Sequence, residues 1–341
     1  MTILFLSRRF HPLIGGVEKH VMEVGKRLVK RGHRVIVVTE ESPRVIRSIK
    51  GRTEGIEMIR VETGKDNWFK KFRIWKSLWK LRGVIQSADI VHCHDVFFWY
   101  LPFRFLYPSK RVYTTFHGYE SYPIRKRAIV VRKLSEKLSW GNICIGDFMK
   151  KWYGTKPDYV SYGAVALQPT TYNLQPRKES ALFFGRLDEQ TGVLQYVKAF
   201  EILKKKYPKF ELFVIGDGEQ KRLLRKKIKT IGFQKNPERY FKKYNFAFVS
   251  RYLSILEAMA SRRLVVAVYD NPVKEDYLCM APYAKFIIIE SSPERIAKRI
   301  EEVLKNPKKE KEMVDKAYKW VSKQTWEEMV NLYLELWKEK G

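Results

Sequence analysis

The feature that most constrains this chain is an alternation of short apolar runs with amphipathic stretches, made twice. Residues 2–7 (TILFLS) are one buried-strand length of apolar sequence, followed by a loop carrying Pro12, Gly15 and Gly16. In 17–31, Val17, Val21, Val24 and Leu28 recur at helical spacing, Gly32 ends the pattern, and RVIVVTE (34–40) is a second strand. A strand–loop–helix–strand unit builds a parallel sheet. The series continues with strands at 56–62, 89–95, 111–118, 142–146 and 158–164, and helices at 68–85 and 127–139. Residues 165–179, with Pro169 and Pro176, lose all periodicity and read as a linker. A second series follows, with strands at 180–185, 210–216, 246–250, 264–269 and 285–290 and helices at 191–206, 219–228, 253–260 and 293–305. Residues 308–337 read as helix broken near Pro307 and at 322–324. The expected fold is α/β: two tandem Rossmann-like doubly wound domains, 1–165 and 178–320, with 321–341 a C-terminal helix returning to the first domain. Such sheets bind ligands beyond the carboxyl ends of their strands, so two of them facing each other would make a cleft.

Composition narrows the partners. Lys and Arg number 67 against 37 Asp and Glu, a formal charge of +30. That excess attracts anions: nucleic acid, an anionic membrane face or phosphorylated substrates. Solvated faces rich in Lys and Glu, as in heat-adapted proteins, account for the same charge without a specific partner. No RNP, zinc-finger or helix-turn-helix signature accompanies the charge, which argues against a specific nucleic-acid binder. The stretch 68–82 (WFKKFRIWKSLWKLR) interleaves Trp and Phe with Lys and Arg. It suits either a core-facing helix with snorkelling lysines or one lying on an anionic membrane. Cys93, Cys144 and Cys279 are scattered, which points to a reducing compartment. No apolar run reaches the roughly 18 residues of a transmembrane helix. At the N-terminus, Arg8 and Arg9 follow the apolar run rather than precede it, unlike a signal peptide. The expected location is cytoplasmic, with a peripheral place on the inner membrane face as the variant.

Several residues could carry chemistry. Gly15 and Gly16 stand between a strand and a helix, where backbone can approach a ligand and free N–H groups face an anion; a plain tight turn fits equally. His92, His94 and Asp95 end one strand, and His117-Gly118 ends another. The spacing of His92 and His94 points both to one side of a strand, but no Cys or Glu stands at ligand spacing to complete a metal site. They read better as polar groups on a cleft floor, able to bond sugar hydroxyls. Gly185-Arg186 ends another strand, and an arginine fork there suits a diphosphate, against the plainer reading of an ion pair with Asp188. Gly216-Asp217-Gly218-Glu219 is a tight strand-to-helix turn. In SILEAMA (254–260), Glu257 can accept bonds from paired ribose hydroxyls or stand as an ordinary helical glutamate.

In order, FHPLIGGVEKHV, LVKRGHRVIVVT, DIVHCHD, TTFHG, SYGAV, FFGRLDEQTGV, FVIGDGE and LEAMA resemble the GT-B retaining glycosyltransferases of group 1, family four. Each piece alone is unspecific; their order and spacing carry the resemblance. It implies a nucleotide-sugar donor held mainly by the C-terminal domain and a glycan or lipid-linked acceptor held mainly by the N-terminal domain. It also implies retention at the anomeric carbon and no metal or other cofactor. Position by position, Gly15 and Gly16 would approach the donor phosphates with Gly216 and Gly218 also on the donor side. His117 would line the reacting sugar, Arg186 would bind the diphosphate and Glu257 would hold the ribose. The chain departs from the pattern twice. In GRLDEQTG, Thr191 replaces a lysine, and eight residues before Glu257 stands Val249 where the family has a glutamate. Arg251 or Lys274 could restore the cation and Glu275 the carboxylate. The departures leave a second reading open, a GT-B protein that keeps the fold as a binding or partner subunit.

Overall fold

The computed structural model describes residues 1–13, 15–41, 50–167, 177–224, 228–234 and 238–339; most of the expected linker lies outside them. The chain divides into two compact units: Met1–Ser161 with Trp326–Gly341, and Tyr162–Thr325. The last helix therefore belongs to the first unit, although more than 160 residues of sequence separate it from the rest.

In the first unit the elements run β1 (Thr2–Ser7), α1 (Gly16–Lys30), β2 (Arg34–Glu40), β3 (Lys50–Thr53), β4 (Ile56–Val61), α2 (Lys70–Lys80), α3 (Arg82–Ser87), β5 (Ile90–His94), α4 (Phe97–Leu106), β6 (Arg111–Phe116), α5 (Lys126–Leu138), β7 (Gly141–Ile145), α6 (Phe148–Tyr153) and β8 (Tyr159–Ser161). Eight strands form one sheet in the order β3-β4-β2-β1-β5-β6-β7-β8. All pairs are parallel except β3 with β4, a hairpin closed at Glu54-Gly55, both with positive φ. Strands covered on both faces must be apolar throughout, and Ile3, Leu4, Phe5 and Leu6 are fully buried. Each contributes roughly 1.5–3 kcal/mol of transfer free energy.

The second unit runs β9 (Arg177–Phe184), α7 (Val193–Lys206), β10 (Glu211–Ile215), α8 (Lys221–Leu224), β11 (Thr230–Ile231), α9 (Glu238–Phe241), β12 (Tyr244–Phe248), α10 (Tyr252–Ala260), β13 (Leu264–Val268), α11 (Pro272–Cys279), β14 (Ile288–Glu290), α12 (Pro293–Leu304) and α13 (Pro307–Val321); α14 (Trp326–Glu339) then returns to the first unit. Its six parallel strands are ordered β11-β10-β9-β12-β13-β14. In both sheets the order reverses beside the first strand, between β1 and β5 and between β9 and β12. Those are the switch points where the carboxyl ends of α/β sheets leave a crevice. Among the described residues no helix is long and apolar enough to cross a membrane.

Several expectations need adjusting. The helix expected at 68–85 is two, parted at Leu81, and the strand expected at 285–290 keeps only Ile288–Glu290, a 3-10 turn taking Ala284–Phe286. The helix expected over 219–228 spans Lys221–Leu224, with 225–227 outside the described residues.

Candidate active site

At the switch point of the first sheet, β5 ends in His94 and β6 leads into His117. Nδ1 of His94 lies 2.9 Å from Nε2 of His117, and the backbone N–H of His117 donates to Oδ1 of Asp95 at 3.0 Å. Gly15 caps α1 in an extended conformation and Gly16 is its first residue. One turn on, the same helix delivers His20, whose ring centroid is 4.7 Å from that of His117. Position 20 lies on the inward face that Val17, Val21 and Val24 mark out, which was the available signal for a buried polar group there. Burial, then the neighbouring His92 and Arg132, pushes the His117 imidazole down to about 3. It is therefore neutral at physiological pH, a group that can accept or donate a hydrogen bond without carrying charge.

Helix α14 fixes this cluster from behind. The Trp337 indole donates to Nδ1 of His92 at 3.1 Å, and Nε2 of His92 is 2.7 Å from the Thr115 hydroxyl. That hydroxyl is 2.8 Å from Tyr333 Oη, which is 2.9 Å from Nε2 of His20. An indole can only donate, so His92 accepts at Nδ1 and donates from Nε2 to Thr115. The arrangement that uses every hydroxyl proton then runs from Thr115 to Tyr333 and from Tyr333 to His20. A buried guanidinium, Arg132, braces the far side: it donates to the Gly118 carbonyl at 2.9 Å and to Glu120 at 2.8 Å. It also lies 3.9 Å from the Tyr153 ring centroid.

In the second unit Arg186 leaves β9 at the switch point with its side chain 65% exposed and 3.3 Å from Asp188. The ion pair read from sequence is thus present, and the guanidinium still faces solvent. Its backbone is locked. Gly185 donates to Ile215 at 3.1 Å, and Leu187 donates to Asp217 at 2.9 Å. A Cβ on Gly216 would stand 1.9 Å from the Gly185 carbonyl oxygen, and one on Gly218 would stand 2.4 Å from that of Leu187. Both glycines are therefore required by the close approach of two backbones, and their work is to seat the Arg186 turn.

Thr191, in the place of the family lysine, closes the same turn. Its hydroxyl faces the carbonyls of Arg186 at 2.7 Å and Asp188 at 2.8 Å, and its own carbonyl accepts from Ser250 at 2.9 Å. One residue away, the ammonium of Lys274 donates to the Gln190 carbonyl at 2.5 Å, and Arg251 bonds the Gln190 side chain. Lys274 is buried, and that burial, opposed by Asp270 and Asp188 and aided by Arg251, lowers its ammonium to about 8. It comes from the first turn of α11, where Asn271 caps and Pro272 opens the helix. Glu275 follows it in that turn. Val249 is a core position whose N–H donates to Val266 at 3.2 Å. Glu257 is nearly buried on α10, the helix that begins beside Arg251.

Two doubly wound units, each with polar groups gathered at its switch point, define the architecture of the GT-B glycosyltransferases. Residues 14–157 match the family described as Glycosyltransferase Family 4, and residues 168–320 match Glycosyl transferases group 1. The chain belongs to the group 1 glycosyltransferases of the GT-B fold. It is similar to an uncharacterized glycosyltransferase of Methanocaldococcus jannaschii, 30% identical over 118 residues; the match covers 30% of this chain and 29% of that one. Among solved structures, a glycosyltransferase from Rickettsia africae superposes with a TM-score of 0.72 at 19% identity, covering 99% of this chain and 98% of that one. An Anabaena protein solved in complex with UDP and glucose superposes with a TM-score of 0.71 at 13% identity, covering 98% of each chain.

Proposed function

We propose that this glycosyltransferase moves a sugar from a nucleotide-sugar donor to a glycan or lipid-linked acceptor, with retention at the anomeric carbon and without a metal cofactor. The observation that carries the reading is the turn at Gly185–Thr191, which presents Arg186 at the end of its strand. Its backbone is clamped by Gly216 and Gly218, while the Arg186 fork stays exposed. A preset cation at a strand's carboxyl end stabilises the negative charge that grows on a leaving diphosphate, at no cost of reorganisation. Lys274 supports an active site rather than a degenerate one. Its ammonium meets the same turn at Gln190, so the turn keeps a second cation although Thr191 brings none. Glu257 would take the ribose. In the first unit Gly15 and Gly16 open α1, whose His20 ring lies 4.7 Å from that of His117, the imidazole that would line the sugar.

Phe69, Phe72 and Trp79, at and within α2, and Trp68 just before it are exposed, with Lys71 3.8 Å above the Trp68 ring. Exposed rings among lysines suit a peripheral place on an anionic membrane, where a lipid-linked acceptor would be met.

The partner-subunit reading stays in play through Val249, a core residue with no carboxylate to offer. A thermal-shift panel of nucleoside diphosphates and nucleotide sugars, without divalent metal, separates the two. UDP is the first to test. At 100-fold excess over its Kd, a ligand of the folded state adds about 2.7 kcal/mol. A selective rise that Arg186→Ala removes supports the transferase. A flat panel sinks it in favour of the partner subunit.

A further inference from the structure

The first unit sets two further histidines around the one that the proposed function gives to the sugar. His20 from α1, His94 from the end of β5 and His117 beyond β6 each place one ring nitrogen within 4.8 Å of the other two. His20 and His94 are buried, and His117 is partly so. Separately, Nε2 of His94 is buried with no hydrogen-bond partner. A buried polar atom without a partner calls for an explanation, an unseen ion among them. We propose that His20, His94 and His117 form a binding site for a divalent transition metal of the zinc class.

The ligand chemistry fits. Burial is the leading cause that holds all three imidazoles well below their usual range, so each is uncharged at neutral pH. A neutral imidazole carries one lone pair, and the 2.9 Å contact between His94 Nδ1 and His117 Nε2 is a hydrogen bond that an ion at the site would replace. Imidazole nitrogens favour zinc, copper and nickel over magnesium or calcium, which take oxygen. Zinc–nitrogen bonds are about 2.0–2.1 Å, so small side-chain rotations close the triangle. A second shell is already in place. Tyr333 Oη, 2.9 Å from His20 Nε2, donates to that nitrogen in the metal-free chain and would accept from it once the other ring nitrogen holds an ion, so it orients His20 in both states. Asp95, bonded to the His117 N–H, brings a carboxylate beside the site. Three histidines leave a coordination position open to water or another small ligand.

This site is not a cofactor site for transfer. An ion there takes the imidazole that the proposed function assigns to the sugar, so filling it switches the enzyme off; that consequence rests on the proposed function, while the binding does not. The test is a titration of chelator-stripped whole protein with Co²⁺ as the probe. One equivalent is expected to raise the visible d–d band of a four-coordinate ion, displaced by Zn²⁺. His20→Gln and His94→Gln should each abolish the band, and His33→Gln, on the surface, should keep it. Tyr333→Phe should weaken binding about 10–100-fold without removing a ligand. Absence of the band in the folded wild-type protein overturns the site, as does a band that survives loss of His20 and His94 or vanishes with His33. Inhibition of transfer by Zn²⁺ is read separately. A Co²⁺ band with uninhibited transfer would keep the site and refute the role given to His117, and a band in a protein that ignores every nucleotide would refute the proposed function alone.

Discussion

At the residue scale, small backbone facts carry the proposed donor site. Gly216→Ala should lower Tm, since its Cβ has no room beside the Gly185 carbonyl; overpacking of this kind costs about 1–3 kcal/mol. Because the displaced backbone bears Arg186, the nucleotide-induced shift should fall as well, whereas Gly83→Ala, in helix α3 with nothing near its Cβ, should not lower Tm and should leave that shift unchanged. Lys274 gives a pH signature. Its ammonium is lowered to about 8, so the cation beside Gln190 is present below that pH and is lost as pH rises through it. Nucleotide affinity should therefore weaken above about pH 8, and Lys274→Met should weaken it by about tenfold or more below that pH, for one charged hydrogen bond, with the difference shrinking above it. Isothermal titration from pH 6.5 to 9.5 reads both, and affinity that is flat with pH in the wild type would remove Lys274 from the site. The groups facing it are Asp270, Asp188 and Arg251. The sequence offered Lys274 and Arg251 as alternatives for the missing cation, and spacing could not choose between them. Lys274 and Thr191 lie far apart in sequence, and only the packing of α11 against the 186–191 turn makes them neighbours.

At the element scale, helices with a contrast between faces were readable and helices without one were not. Helix α1 showed its inward face as a periodic stripe. Helix α4, FFWYLPFRFL, is apolar all round and holds Pro102; its Phe97, Trp99, Tyr100 and Phe103 are buried, so no period betrays it. Helix α11 did leave a signal, Asn271 before Pro272, that periodicity alone passes over. Helix α14 shows what an element can do at a distance from its own sequence neighbours. Tyr333→Phe should remove two hydrogen bonds, each worth about 0.5–1.5 kcal/mol, and free the tautomer of His20, which imidazole ¹⁵N shifts report. Helix α2 carries the membrane test. Vesicles with anionic lipid should pellet the protein in a salt-sensitive way, and a triple Trp68→Ala, Phe69→Ala, Phe72→Ala variant should stay in the supernatant. Equal binding to neutral vesicles would refute an anionic surface as the partner.

At the scale of the whole molecule, the charge of +30 makes nonspecific attraction to any polyanion unavoidable. A gel shift with DNA should therefore appear at low salt, show no sequence preference and vanish by about 0.2 M salt; a sequence-selective shift surviving that salt would revive nucleic acid as a partner. The alternation of apolar runs and amphipathic stretches was enough to determine two parallel α/β units, because strands covered on both faces must be apolar along their length while the helices covering them need only one apolar face. Ordered motifs on that frame were enough for the family. Tertiary structure alone decided the rest. It set His20 beside His94 and His117, gave Gly216 and Gly218 the task of seating Arg186, and brought Lys274 to the turn that Thr191 closes. Each of these is a contact between residues distant in the chain, and no local pattern encodes such a contact, because burial of a shared surface selects it only once the sheets have formed.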